Sequence, residues 1–115
     1  MRWSLCYGPA ALLSAAKVEG AEFPYKGYSA VTFSDKTDGV SPSIGYLPGQ
    51  MPCFVQESLK DKGVIITNTS DTGATHVHKE LITGDSPHAS DSIGYLGMTK
   101  MIEFEIARVR AATAA

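Results

Sequence analysis

Gly8-Pro9 comes after only seven residues and is followed by Ala10, Ala11, Leu12, Leu13, Ala15 and Ala16. A proline just inside an Ala/Leu-rich run starts a helix, and Gly20 offers its stop. Only a short strand is expected before the turn. Residues 1–6, in which Trp3 and Leu5 alternate, fit the end of a strand. Cys6 then falls on a strand-to-helix turn, and the first strand has no room to be anything but a brief member of a larger sheet.

The remaining punctuation gives an alternating order. Residues 28–33 are β-branched and aromatic and predict a strand. Residues 34–49 are polar and rich in Gly, Pro and Ser, which predicts a long functional loop. Met51, Val55 and Leu59 fall four apart, so a second helix is expected over residues 52–62, with Gly63 as its end. Residues 64–67 suit a strand buried on both faces, as in a parallel sheet. Residues 75–83 predict a weaker strand or a strand pair ending at Gly84. Ser86-Pro87 opens a last helix whose apolar stripe is Tyr95, Met98, Ile102, Ile106 and Val109, with Gly94 and Gly97 weakening its first half. Strand–helix alternation of this kind argues for an α/β fold with a mostly parallel sheet. Too few strands are present to complete a doubly wound sheet, so half a domain is expected.

Composition narrows the function classes. The chain has 115 residues, 43% hydrophobic and 19% charged, which reads as one globular unit. Ten Lys and Arg against twelve Asp and Glu give a net charge of −2, so no polybasic footprint points to nucleic acid, which is not an expected partner. Two cysteines fit a reducing compartment and a cytoplasmic location. No apolar run approaches the ~20 residues of a membrane span, so no membrane partner is expected, and the N-terminus does not read as a signal peptide.

Cys6 is the sharpest chemical candidate. A thiol at a helix N-terminus is expected to have its thiolate stabilised by the dipole and by free N–H groups. Position alone leaves two readings of it, a nucleophile or a buried structural thiol. Cys53 is expected among apolar core neighbours in the second helix. His76 and His78 form an H-x-H whose rings share one strand face, but two ligands do not make a metal site. His88 reads as solvated. Asp35 and Asp38 lie in the long loop, where one of them could orient a catalytic partner and where aspartates also form turns. The glycines from Gly45 to Gly49 match no phosphate-loop spacing.

Ser4-Leu-Cys-Tyr-Gly-Pro-Ala-Ala-Leu-Leu13 resembles the nucleophile elbow of the ThiJ/PfpI superfamily, which usually reads Cys-His-Gly-Pro-Ala-Ala. Gly27-Tyr-Ser29, Ile44-Gly-Tyr-Leu-Pro-Gly49, Val77-His-Lys79 and Leu81-Ile-Thr-Gly-Asp-Ser-Pro87 follow in the order of the HchA-like branch of holding chaperones and glyoxalase III enzymes. The resemblance covers nearly the whole chain but only the C-terminal half of the family's domain. It implies a flavodoxin-like three-layer sandwich, here incomplete, with residues 1–115 starting at the elbow. It also implies Cys6 as nucleophile, Asp38 as the acidic third member of the triad, and no cofactor. The catalytic glutamate and the branch's metal ligands belong to the half that precedes the elbow, so no metal is assigned to this chain. Tyr7 stands where the family has histidine, and a phenol cannot serve as a neutral-pH base.

Three functions follow as expectations. The first is a glyoxalase III-like lyase converting methylglyoxal to lactate, impaired here, with a small 2-oxoaldehyde as substrate. The second is a non-catalytic, stress-related chaperone or interaction protein, with a homo-oligomer or a complementing chain as partner. The third is a redox-sensing thiol protein.

Overall fold

The computed structural model describes residues 1–114. Strand β1 spans Arg2–Leu5 and leads through Cys6 and Tyr7 into a 3₁₀ helix, Gly8–Lys17. Strand β2 (Ser29–Ala30), helix α1 (Asp35–Val40), helix α2 (Val55–Asp61) and strand β3 (Ile65–Ile66) follow. The hairpin strands β4 (Thr75–His78) and β5 (Leu81–Gly84) then lead through a short 3₁₀ turn, Pro87–Ala89, into the long helix α3, Ser90–Ala114.

Three strands pair in the order β1-β5-β4, with β1 parallel to β5 and β4 antiparallel to it; β2 and β3 form a separate parallel pair. The fold is thus the expected α/β arrangement, mostly parallel and partial. The strand expected over residues 28–33 keeps only two residues in a ladder, because side chains and the elbow satisfy the rest of its backbone. Thr32 gives its N–H to Asn68 Oδ1 at 3.1 Å and receives Asn68 Nδ2 on its carbonyl at 2.8 Å. Val31 N–H goes to Thr83 Oγ1 at 3.0 Å, and Phe33 N–H goes to the Cys6 carbonyl at 3.0 Å. The Val31 and Phe33 bonds stitch the two small sheets together.

The core is Ala30, Val55, Leu59, Val64 and Leu81, with Tyr7, Leu12, Leu13 and Tyr28 packed against it. Four expectations need correction. The Ala/Leu run winds as 3₁₀ rather than α, opening with Ala10 N–H on the Tyr7 carbonyl. Side chains eclipse at every third residue in that geometry, which the small Ala and Ser residues of this run tolerate. The long loop contains α1, capped at Ser34, whose Oγ accepts Thr37 N–H at 3.2 Å. Ile65 is exposed rather than buried: among the described residues β3 pairs only with β2, and Ile66 is the residue of this strand that packs against the core. Cys53 is exposed rather than in the core, because α2 begins only at Val55.

Helix α2 is capped from a distance. Asp35 accepts Gln56 N–H on Oδ1 and Glu57 N–H on Oδ2, both at 2.9 Å, filling the first-turn donors that its own N-cap, Phe54, cannot reach. Gly97 has a packing reason as well: a Cβ there would sit 2.6 Å from the Trp3 ring, so a bare backbone lets α3 lie on β1. Only Ile93 and Gly97 of α3 are buried.

Candidate functional site

Cys6 follows the last β1 residue and has φ of +59°, the left-handed region that a side-chain-bearing residue enters at a cost of about 1–2 kcal/mol. Two backbone bonds hold it there: its N–H goes to the Gly84 carbonyl at 2.9 Å, and its carbonyl takes Phe33 N–H. The strand-to-helix elbow expected from Gly8-Pro9 is therefore present, and the half-buried thiol sits at its apex.

Tyr7 donates its hydroxyl to Asp38 Oδ1 at 2.8 Å, so positions 7 and 38 meet although 31 residues separate them. Asp38 is 2% exposed, and its other oxygen, Oδ2, is buried with no hydrogen-bond partner among the described residues. Burial first, then the carboxylate of Asp38, push the Tyr7 phenol far above its ordinary 10.0. Tyr7 therefore stays protonated and acts as a donor to Asp38, not as a base. Among the described residues no side-chain hydrogen bond links the Cys6 thiol to Tyr7.

The expected lowering of the Cys6 pKa does not hold. Burial raises it above 9.0; the Tyr7 N–H pulls it down, and the charges of Asp71, Asp85 and Asp38 push it up again. One N–H donor does not offset desolvation and three nearby carboxylates.

Two of these carboxylates went unread in the sequence. Asp85 is fully buried and accepts the N–H groups of Thr72, Gly73 and Ala74 and the Ser86 hydroxyl. Asp71 accepts the N–H and the hydroxyl of Ser34 at 2.8 and 2.7 Å. Asp85 lies within a motif already singled out, whereas no sequence feature singles out Asp71. Asp35, read as a turn residue, is a helix cap.

A cavity of about 460 Å³ opens beside the elbow, and its lining includes apolar Phe33, Ile44 and Tyr46 together with Lys36, Asp71 and His88. Cys6 does not line it, but Phe33 and Asp71 connect it to the thiol's surroundings. His88 is exposed and forms part of this wall. His76 and His78 do share a face. The Ser29 hydroxyl lies 2.6 Å from His76 Nε2 and 2.9 Å from His78 Nδ1, and Ser29 N–H donates to that same Nδ1 at 3.1 Å. The His78 ring stacks on Tyr28 with centroids 4.8 Å apart.

A strand, a strained elbow and a mostly parallel sheet define a partial flavodoxin-like α/β fold of the PfpI type. A crystal structure of a protein designated APC35852 shares it at TM-score 0.72 and 22% identity, with 88% of this chain covering 44% of that one. No family model matches the sequence. The chain is similar to a Pseudomonas aeruginosa (strain UCBPP-PA14) protein named protein/nucleic acid deglycase HchA, 44% identical over 102 residues. It is also similar to the Escherichia coli (strain K12 / DH10B) protein of that name, 40% identical over 99 residues. These alignments take in 87% and 86% of this chain but only 35% and 34% of the relatives, so the chain spans about a third of their length. The likeness to the HchA-like branch is thereby shown for these residues.

The exclusion of nucleic acid drawn from the charge balance does not stand, because the relatives' name includes it. A net charge of −2 argues against a basic groove that tracks phosphates; it does not argue against chemistry carried out on a nucleic acid. Among the described residues, no helix is long and apolar enough to cross a membrane.

Proposed function

We propose that this chain is the cysteine-bearing, C-terminal part of an HchA-like domain and that Cys6 is its nucleophile toward reactive carbonyl groups. The observation that carries the reading is the elbow, with Cys6 held at φ +59° and Tyr7 bonded to a buried Asp38. The Cys6 thiolate adds to the aldehyde carbon of a small 2-oxoaldehyde. A C–S bond forms, the carbonyl π pair moves to oxygen, and protonation of that oxygen gives a hemithioacetal. Proton transfer between the two carbons, followed by hydrolysis, makes lactate from methylglyoxal with no external oxidant. Asp38 acts by fixing Tyr7.

The chain is a poor catalyst of that sequence by itself. The carboxylates influencing Cys6 are Asp71, Asp85 and Asp38, and none is a glutamate placed to move the carbon-bound proton. Tyr7 is held as a neutral donor, and one missing acid–base group lowers rate by about 10²–10⁴-fold. Activity toward protein- or nucleic-acid-borne adducts, suggested by the relatives' name, belongs to the same reading. Free cysteines in a reducing compartment favour a cytoplasmic setting.

The experiment is lactate formation from methylglyoxal by the purified chain, with Cys6→Ser as control. Slow, Cys6-dependent turnover is expected. Robust turnover would overturn the impairment, and turnover unaffected by Cys6→Ser would overturn the nucleophile.

One observation favours the interaction reading as a second function. The α3 stripe from Tyr95 to Val109 is 45–72% exposed, a long apolar face of the kind that holds unfolded chains. Suppression of thermal aggregation of a client protein, lost when Met98 and Ile102 become serine, tests it. The raised Cys6 pKa lowers the thiolate fraction at neutral pH, which slows oxidation in a redox-sensor reading and carbonyl addition in the nucleophile reading alike.

A further inference from the structure

Two backbone bonds tie Cys6 to its neighbours, and each neighbour leads to a carboxylate. Cys6 N–H binds the Gly84 carbonyl, and the next residue is Asp85. The Cys6 carbonyl takes Phe33 N–H, and the next residue, Ser34, is held by Asp71. Ser34 is 1% exposed and is the N-cap of α1, the six-residue helix that carries Asp38. Its N–H goes to Asp71 Oδ1, its hydroxyl lies 2.7 Å from Asp71 Oδ2 and 2.9 Å from Thr37 Oγ1, and its Oγ accepts Thr37 N–H. At the far end of α1 the buried Ser41 hydroxyl returns to the Thr37 carbonyl at 2.8 Å. Asp71 reaches the N-cap of α1 from another part of the chain and also forms part of the cavity wall, while Asp35 ties the same helix to α2 and Tyr7 reaches Asp38.

We infer that Asp71 is a positioning residue of the Cys6 site: its two-pronged hold on Ser34 fixes α1 so that Asp38 meets Tyr7 beside the thiol. The hold is bidentate and charge-assisted, which makes it stronger and more directional than a neutral pair. It works through Ser34, not through contact with a substrate. The same carboxylate adds negative charge near Cys6, so removing it has a chemical signature that a purely structural residue lacks. The inference takes its functional meaning from the reading of Cys6 as nucleophile. Its test reads the thiol itself rather than turnover, so each can fail without the other.

The test is iodoacetamide labelling of the full chain from pH 6 to 11, with Cys6 and Cys53 resolved by peptide mass spectrometry, alongside thermal melts. Asp71→Asn can still accept Ser34 N–H and donate to the Ser34 hydroxyl. It should melt close to the parent, while its Cys6 labelling midpoint falls as one like charge disappears. Asp71→Ala should melt several degrees lower, because the Ser34 N-cap of α1 loses its hold as well, while Asp35 still ties the helix to α2. Cys53, exposed and outside this arrangement, should label identically in all three. If Asp71→Ala does not fold, the Asp71→Asn profile decides. A Cys6 midpoint unchanged in Asp71→Asn, or an Asp71→Asn melt as low as that of Asp71→Ala, would overturn the inference.

Discussion

The elbow region and the C-terminal half of α3 are built in opposite ways. Around Cys6, short pieces from five parts of the chain converge: the end of β1, the segment after β2, α1, the 68–74 loop and the end of β5. Side-chain bonds to backbone hold them, and Thr32, Ser34, Asp38, Thr83 and Asp85 are all buried polar residues there. Beyond Met98, α3 is one regular helix in which every described residue to Ala114 except Lys100 is exposed. Regular secondary structure therefore marks the region that carries little of the fold's packing. Irregular backbone marks the region where long-range bonds concentrate. The contrast follows from backbone chemistry, since a helix satisfies its own N–H and C=O groups and needs no neighbour, whereas an elbow must borrow partners.

The largest expected effect comes from the buried centre that supports the elbow. Leu59 is fully buried between α2 and the small sheets, so Leu59→Ala should destabilise the chain by about 2–5 kcal/mol, as read in urea unfolding. A loss no larger than that of a surface substitution would mean that the core does not hold this region. Tyr7→Phe comes next. It leaves buried Asp38 Oδ1 without its donor, to the detriment of stability by about 1–3 kcal/mol. The pH dependence has a definite sign. The folded-state pKa of Tyr7 lies above its unfolded value of 10.0, so the contribution is full below pH 10 and is lost as pH rises toward the folded value. Tyr7→Phe should reduce that alkaline decline, leaving the part due to the raised Cys6 and Tyr28 groups, and denaturation curves from pH 8 to 12 would show it.

A Tyr7→His variant sharpens the chemistry rather than the stability. An imidazole beside Cys6 can form a thiolate–imidazolium pair, so Cys6 alkylation at pH 7 should quicken several-fold, against no change at Cys53. An unchanged Cys6 rate would mean that the surrounding carboxylates and burial override position 7. The smallest effect belongs to the other region. Ile102 is 53% exposed, and Ile102→Ser should alter unfolding free energy by no more than about 0.5 kcal/mol. A larger loss would show that the stripe is covered in solution.

The sequence made some of this legible for local reasons. Gly8-Pro9 and the Ala/Leu run located the elbow because turn chemistry is a nearest-neighbour property. The hairpin after Ala74 and the last helix were readable on the same grounds. The resemblance singled out Asp38, and the Tyr7 hydroxyl is the contact that gives that assignment a geometry. What could not be read was set by long-range partners. The strand over residues 28–33 has the right propensity, yet Asn68, 36 positions from Thr32, takes the bonds a neighbouring strand would otherwise make. The direction of the Cys6 shift is not legible locally, because burial of the thiol comes first and Asp71 and Asp85 then add charge from 65 and 79 positions away in the chain. Cys53 was placed in the core by its apolar neighbours, but α2 starts two residues after it.

The central claim is that the elbow makes Cys6, and not the more exposed Cys53, the thiol that engages a carbonyl. The direct measurement is protection: the chain is incubated with increasing methylglyoxal, pulsed with iodoacetamide at a pH where both thiols label, and each cysteine is quantified by mass spectrometry. The account predicts saturable protection of Cys6, weakened when Asp38→Ala frees Tyr7, with Cys53 protected only in proportion to aldehyde concentration. Equal, unsaturable protection of both cysteines would contradict it.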